Sequence, residues 1–360
     1  MSLLASAQLN STTSNLTRCW REPHQLLNFR FWTISVLGSS VCCLAVVNNC
    51  ALLFLFLTRL KCRHNYMFYL VILAALDLLV EICYILIFSV DVAADYLNCY
   101  FLFAMWHRYI RVTATVAQVS LAASTFLLVA ASAERYFSTS HASRTRFFVA
   151  DRARLSALAL VLGVLSKGSV YVELQVTQHP SCPRFADLHL RRSGLALSPL
   201  YSTLITFWFR NLFNRLLPFF SLLLLNGAVM WRVRRSLLDR HSALLGLGLP
   251  LSQRQIAASK STLRSATRML AAIVLTYLVV NVPNVVMTFW EHLDMRSLKG
   301  VYGGDFYSLS SDFTSLLAVF CGALRLPIYY CCNPQLRKQV RKMLVTSNEW
   351  LHCLAFSSAA

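Results

Sequence analysis

Three polar side chains stand together where an apolar run ends: Glu134, Arg135 and Tyr136 close the stretch LLVAASAERY. An acid next to a base can hold an ion pair that is made in one state and broken in another. Deeper inside apolar sequence, Asp77 interrupts LVILAALDLLV, and Asn49, Ser124, Asn281 and Asn284 sit in similar runs. A carboxylate in hydrocarbon is expensive and marks a functional position by default. It binds a cation, pairs with a base or carries a proton. Arg325, two residues before Pro327, is the rarer case of a base in such a run, and it either pairs with a carboxylate or snorkels outward. Near the opposite ends of the runs lie Asp91, Tyr109, Gln118, Glu173, Arg210, Trp290 and Glu291. Aromatic rings there offer contact area, and the few charges offer orientation. The chain carries no HExxH, no Ser/His/Asp spacing, no paired carboxylates suited to bond chemistry and no tight CxxC. The expected chemistry is recognition and switching; no enzyme activity, metal or cofactor is expected.

These groups are positioned by the segments that bury them. The chain has 360 residues, of which 57% are hydrophobic and 14% charged; soluble domains carry about 45–50% and about 25%. Seven runs reach the roughly 20 residues that cross a bilayer: 36–57, 67–90, 112–133, 155–176, 200–231, 269–290 and 306–332. Lys167 and Glu173 interrupt the fourth, and Arg210 and Arg215 fall in the first half of the fifth. Pro218, Pro283 and Pro327 lie inside runs five to seven and predict kinks. The net charge of +19 comes from 34 Lys+Arg against 15 Asp+Glu. The basic residues cluster in the connections 59–64, 141–154 and 232–268 and in 337–342, which places those on the cytoplasmic side and the N-terminus outside. That distribution speaks for a lipid bilayer as partner and against nucleic acid. Asn10 and Asn15 begin two glycosylation acceptor patterns in the N-terminal tail. Cys19, Cys99 and Cys182 are the cysteines expected outside, where a disulfide can form. Residues 252–268 are helix-compatible and extend the sixth span; after the seventh, Leu336, Val340, Met343 and Leu344 share one face of an amphipathic helix. The reading is an all-α membrane protein: a tail (1–32), a seven-helix transmembrane bundle (33–332), and a cytoplasmic amphipathic helix with its tail (333–360).

In this order the motifs resemble the rhodopsin-like G-protein-coupled receptors over roughly residues 33–345. LAALD (73–77) matches the second-helix motif with Asp77 as its carboxylate, and ERY (134–136) matches the end of the third helix. Pro218 matches the helix-5 proline, NVP (281–283) the helix-6 proline, and LPIYY (326–330) stands where the family has Asn-Pro-x-x-Tyr. A closer resemblance, to invertebrate receptors for FMRFamide-like neuropeptides, is carried by YVE (171–173), by RRS (191–193), and by Tyr201, Trp208, Pro218 and Asn226 in their spacing.

The resemblance implies a plasma-membrane receptor that passes the binding of an extracellular peptide to a heterotrimeric G protein. Glu134, Arg135, Tyr136, Pro283 and Tyr330 are then the activation and coupling residues. Departures accompany it. The helix-3 cysteine of the family is Ile110 here, so a Cys99–Cys182 bridge would be displaced, and Cys19 is a rival partner. Leu326 replaces the helix-7 asparagine, leaving Asp77 and Ser124 as part of the family's sodium site, and weak or absent sodium regulation is expected. Leu263 replaces the helix-6 acid that pairs with the helix-3 arginine in some relatives. Ala117 stands where amine receptors have aspartate, and the seventh run has no lysine for a retinal Schiff base. The alternatives are a chemosensory or other seven-helix receptor with a non-peptide ligand, or a transporter, against which the odd number of spans and the lack of an inverted repeat count.

Overall fold

The computed structural model describes residues 26–58, 68–140, 152–180, 182–244, 253–293, 305–334 and 336–342. Among the described residues, seven helices are long and apolar enough to cross a membrane: α1 (Leu27–Thr58), α2 (Phe68–Tyr96), α3 (Tyr100–Ser138), α4 (Arg152–Glu173), α5 (Leu212–Val233), α6 (Arg268–Met287) and α7 (Leu309–Cys332). In hydrocarbon the backbone has no other hydrogen-bond partner, so each apolar run closes its own ladder. The helices outrun the apolar windows. The third continues as helix from Tyr100 to Ser140, and the sixth from Gln253 to Leu293, as the helix-compatible residues 252–268 predict. The fourth stops short of the expected 176: Leu174 turns extended and opens a strand.

That strand, β1 (Leu174–Gln178), pairs antiparallel with β2 (Leu188–Arg192), with Val176 opposite Leu190. Among the described residues the hairpin is the exception to an all-helical fold. Val176 and Leu190 pack against the cluster of Cys83, Ile87, Trp106 and Ile110. Ile110 is fully buried there, so an apolar contact seats the hairpin on α3 at the position where the resembling family has a cysteine.

The core runs through the middle and basic end of the bundle, from Leu52 and Phe56 of α1 through Leu73, Leu127, Leu222 and Ile273 to Tyr329 of α7. Leu165, Leu224 and Leu275 face outward, as side chains solvated by lipid tails should. Gly163 brings α4 close to α3: a Cβ there would meet Ala123 Cβ at 2.9 Å. Small residues at such contacts let packing replace the hydrophobic drive that lipid removes. Polar side chains join helices at Thr125 Oγ1 to Tyr277 Oη (3.1 Å, α3 to α6) and Asn226 Nδ2 to Ser132 Oγ (3.0 Å, α5 to α3). Arg30 of α1 and Asp312 of α7 form a buried ion pair at 2.7 Å.

The prolines sit in different settings. Pro283 lies inside its helix. Pro218 follows a π-helical stretch, Leu212–Leu216, whose wider turn precedes the missing donor. The last span breaks at Leu324 and restarts at Arg325, which puts Pro327 in a first turn, where the absent N–H is not needed. Beyond it, Leu336 is buried in the core and Val340 packs on it; Met343 and Leu344 lie outside the described residues.

Candidate functional site

Three polar clusters lie along the bundle. At the basic end, Glu134 and Arg135 are both buried on α3. Arg152, the first residue of α4, donates from Nε to both oxygens of Glu134 (3.0 and 3.2 Å) and from Nη2 to Oε1. Such forked pairing is the strong form of a charge-assisted bond. Glu134 is thus tied to the next helix as well as standing beside Arg135. The sequence reading missed Arg152; its place at the start of the fourth span, on the side that holds ERY, was the available signal. Tyr69, Leu70, Ala131, Glu134, Arg135, Met269 and Leu270 line a small cavity between α2, α3 and α6. Tyr136 accepts a hydrogen bond from Arg232 of the helix Leu217–Leu244 (3.1 Å), whose guanidinium also lies over its ring. The Leu263 side chain lies outside the described residues. Tyr330 is half-buried and accepts from Arg341 at 3.3 Å, whereas its neighbour Tyr329 is fully buried in the core.

In mid-bundle, Asp77 pairs with Arg325 at 2.5 Å, so the arginine pairs inward with a carboxylate and does not snorkel. One turn along the same face of α2, Glu81 accepts from Asn49 Nδ2 at 2.6 Å. Glu81 is 1% and Arg325 5% exposed. Gly322 makes room: a Cβ there would approach Glu81 Oε1 to 2.6 Å. Ser124 is buried with its hydroxyl unpartnered. The cluster therefore carries its own tethered cation beside Asp77. The sequence reading gave Glu81 no role, although its i,i+4 spacing from Asp77 already places both on one face.

At the outer end, two ligand candidates meet each other. Arg210 donates to Glu173 from Nη1 (2.7 Å) and Nη2, and to Ser169 Oγ (2.7 Å), while Tyr201 donates to Glu173 at 2.6 Å. Glu173 and Arg210, both expected to meet a ligand, meet each other here: at this spacing they neutralise one another and join α4 to the start of the fifth helix. Tyr109 donates to the Leu86 carbonyl at 3.0 Å, Trp290 packs on Phe306 with centroids 5.9 Å apart, and Asp91 and Gln118 are half-buried. The Glu291 side chain, Asn10, Asn15 and Cys19 lie outside the described residues.

The cysteines also correct an expectation. Cys99 is a free, half-buried thiol, and Cys182 is disulfide-bonded to a partner outside the described residues. Cys99 does not bridge Cys182: it precedes the helix that begins at Tyr100, where Tyr100 bonds Asp187 and the Phe103 ring lies tilted against Phe185.

No curated protein sequence matches the chain. The pattern of one family does, over residues 48–323: 7 transmembrane receptor (rhodopsin family). That match covers all but the ends of the bundle just described, with ERY closing α3, a carboxylate in mid-α2 and a proline in α6, and it is a family of receptors, not enzymes. The chain belongs to the rhodopsin family of seven-transmembrane receptors, multi-pass membrane proteins that couple an extracellular ligand to a G protein.

Proposed function

We propose that the chain is a receptor for an extracellular peptide, of the FMRFamide-like neuropeptide kind. The observation that carries this reading is the β1–β2 hairpin at the outer end, seated on α3. Strand edges recruit extended peptides through main-chain hydrogen bonds, and the half-buried Gln118, Asp91 and Trp290 are our assigned side-chain contacts. The ligand activates only by binding one conformation better than the other. Activation swings α6 outward at the basic end about Pro283, which opens the core around Met269 and Leu270. Arg135 then leaves its resting contacts and meets the alpha subunit of the G protein, with Tyr136 and Tyr330 holding that state. The tethered Arg325 stands in for an exchangeable ion beside Asp77, in line with weak sodium dependence.

The test is a screen of secreted amidated peptides on cells expressing the receptor, with G-protein dissociation as readout. At least one peptide is expected to release the G protein; silence across the whole panel removes the peptide reading.

Cys19 is the cysteine outside the described residues that topology leaves on the outer side, so it is our assigned partner for Cys182. Cys182→Ser should lower surface expression and cost about 2–5 kcal/mol of stability, Cys19→Ser should match it, and Cys99→Ser should be near neutral. Peptide mapping under non-reducing conditions checks the pair directly; an intact Cys99 crosslink would refute it.

A further inference from the structure

Two imidazoles meet on the outer face of the hairpin. Strand residues alternate between faces. Val176 and Leu190 take the core side, so positions 177 and 189, which pair with each other, lie on the other side, as does 187. His179 follows β1 directly and sits opposite Asp187, whose carbonyl accepts from its N–H at 2.7 Å. His179, Asp187 and His189 therefore share one face. The two imidazole rings stand 5.8 Å apart, centroid to centroid, at 56°. The Nε2 atom of His179 is buried and makes no hydrogen bond, and neither does Oδ1 of Asp187. A packed ring pair accounts for the distance between the imidazoles, but it leaves that buried nitrogen unsatisfied, which is costly.

The loop that joins the two positions is held at several points. Cys182 is disulfide-bonded, and Tyr100 of α3 donates to Asp187 Oδ2. Phe185 packs on Tyr100 and Phe103 with centroids 5.7 and 5.3 Å apart, and the Arg184 guanidinium lies 5.7 Å from the Tyr100 ring centre. Fixed supports of this kind are what hold metal ligands in register. Zn–N bonds of about 2 Å and near-tetrahedral angles put the centroids of two coordinating imidazoles about 5–6 Å apart. The observed separation is of that size. Imidazole nitrogens suit zinc and copper, whereas magnesium and calcium take oxygen. Among the described residues no group of three or more His, Cys, Asp or Glu side chains could hold a metal ion. The pair thus supplies two ligands, and water or a ligand atom fills the rest. With two open positions, and with the exposed Arg191 on the same face, this is an exchangeable site and not a closed structural one.

We propose that His179 and His189 form an outward-facing site for a divalent transition-metal ion, zinc or copper, which clamps β2 to the end of β1. Asp187 beside them offsets the charge of the ion. The site needs no peptide, so it stands or falls apart from the peptide reading.

The test uses the full chain in phosphatidylcholine nanodiscs, with zinc chloride as the probe and thermal unfolding as the readout. At a hundredfold excess over Kd, Zn²⁺ is expected to raise the midpoint by roughly 5 °C. EDTA should reverse the gain, and Mg²⁺ should give none. His179→Gln and His189→Gln should each weaken Zn²⁺ at least about tenfold. A second measurement needs no variant: Cu²⁺ with ascorbate oxidises the side chains that hold the copper, and peptide mapping of the wild type should find His179 and His189 modified first among the chain's nine histidines. No midpoint gain with Zn²⁺, an equal gain with Mg²⁺, a gain that survives both substitutions, or copper oxidation centred on other histidines overturns the proposal.

Discussion

Arg325→Ala is expected to be among the most damaging single substitutions in the bundle, costing about 3–5 kcal/mol, the range for breaking a buried ion pair from one side. The reason is a charge count. Asp77 and Glu81 bring two formal negative charges to mid-bundle, and Arg325 brings one positive charge. Removing the arginine leaves both carboxylates uncompensated among apolar helices. Removing one carboxylate instead, in Asp77→Asn, leaves Glu81 as a second acid near Arg325, and the loss should be smaller. Unfolding of the two variants in the same detergent checks this. Equal losses for Arg325→Ala and Asp77→Asn would show that the pair acts by shape and not by charge. The double variant Asp77→Asn, Arg325→Ala should recover most of the single-variant loss.

The second large effect is on signalling. Glu134→Gln should raise nucleotide exchange on the G protein without ligand by roughly 5–30-fold, the factor for about 1–2 kcal/mol taken from the resting state. Glu134 is buried beside Arg135 and is gripped by Arg152, so it links the coupling arginine to α4. A neutral amide keeps the size and loses both electrostatic ties. Exchange assays on folded, surface-expressed receptor decide it. Basal exchange at or below wild type would remove Glu134 from the resting lock.

The seven spans were legible because lipid imposes one rule: about 20 apolar residues for each crossing. The long sixth helix and the inward face of Leu336 and Val340 also followed from periodicity. Pairings between helices were not legible, since they depend on rotation and on neighbours far away in the chain. Arg325 was seen to need a carboxylate, but nothing local picked Asp77. One residue of register, about 100° on a helix, puts Tyr329 in the core and Tyr330 at its edge. The Glu173–Arg210 pair was hidden because both residues sit where a ligand would also meet them. Cys99 looked like the displaced partner of Cys182 by its side of the membrane alone. The π-helical turns before Pro218 leave no mark in composition.

The most direct measurement reconstitutes the full chain with a heterotrimeric G protein and compares peptide-driven nucleotide exchange for wild type and Arg135→Ala at equal surface density. The wild type should release nucleotide on peptide addition, and Arg135→Ala should bind the same peptide and release little. Equal peptide-dependent exchange by Arg135→Ala would contradict the coupling role given to the ERY segment.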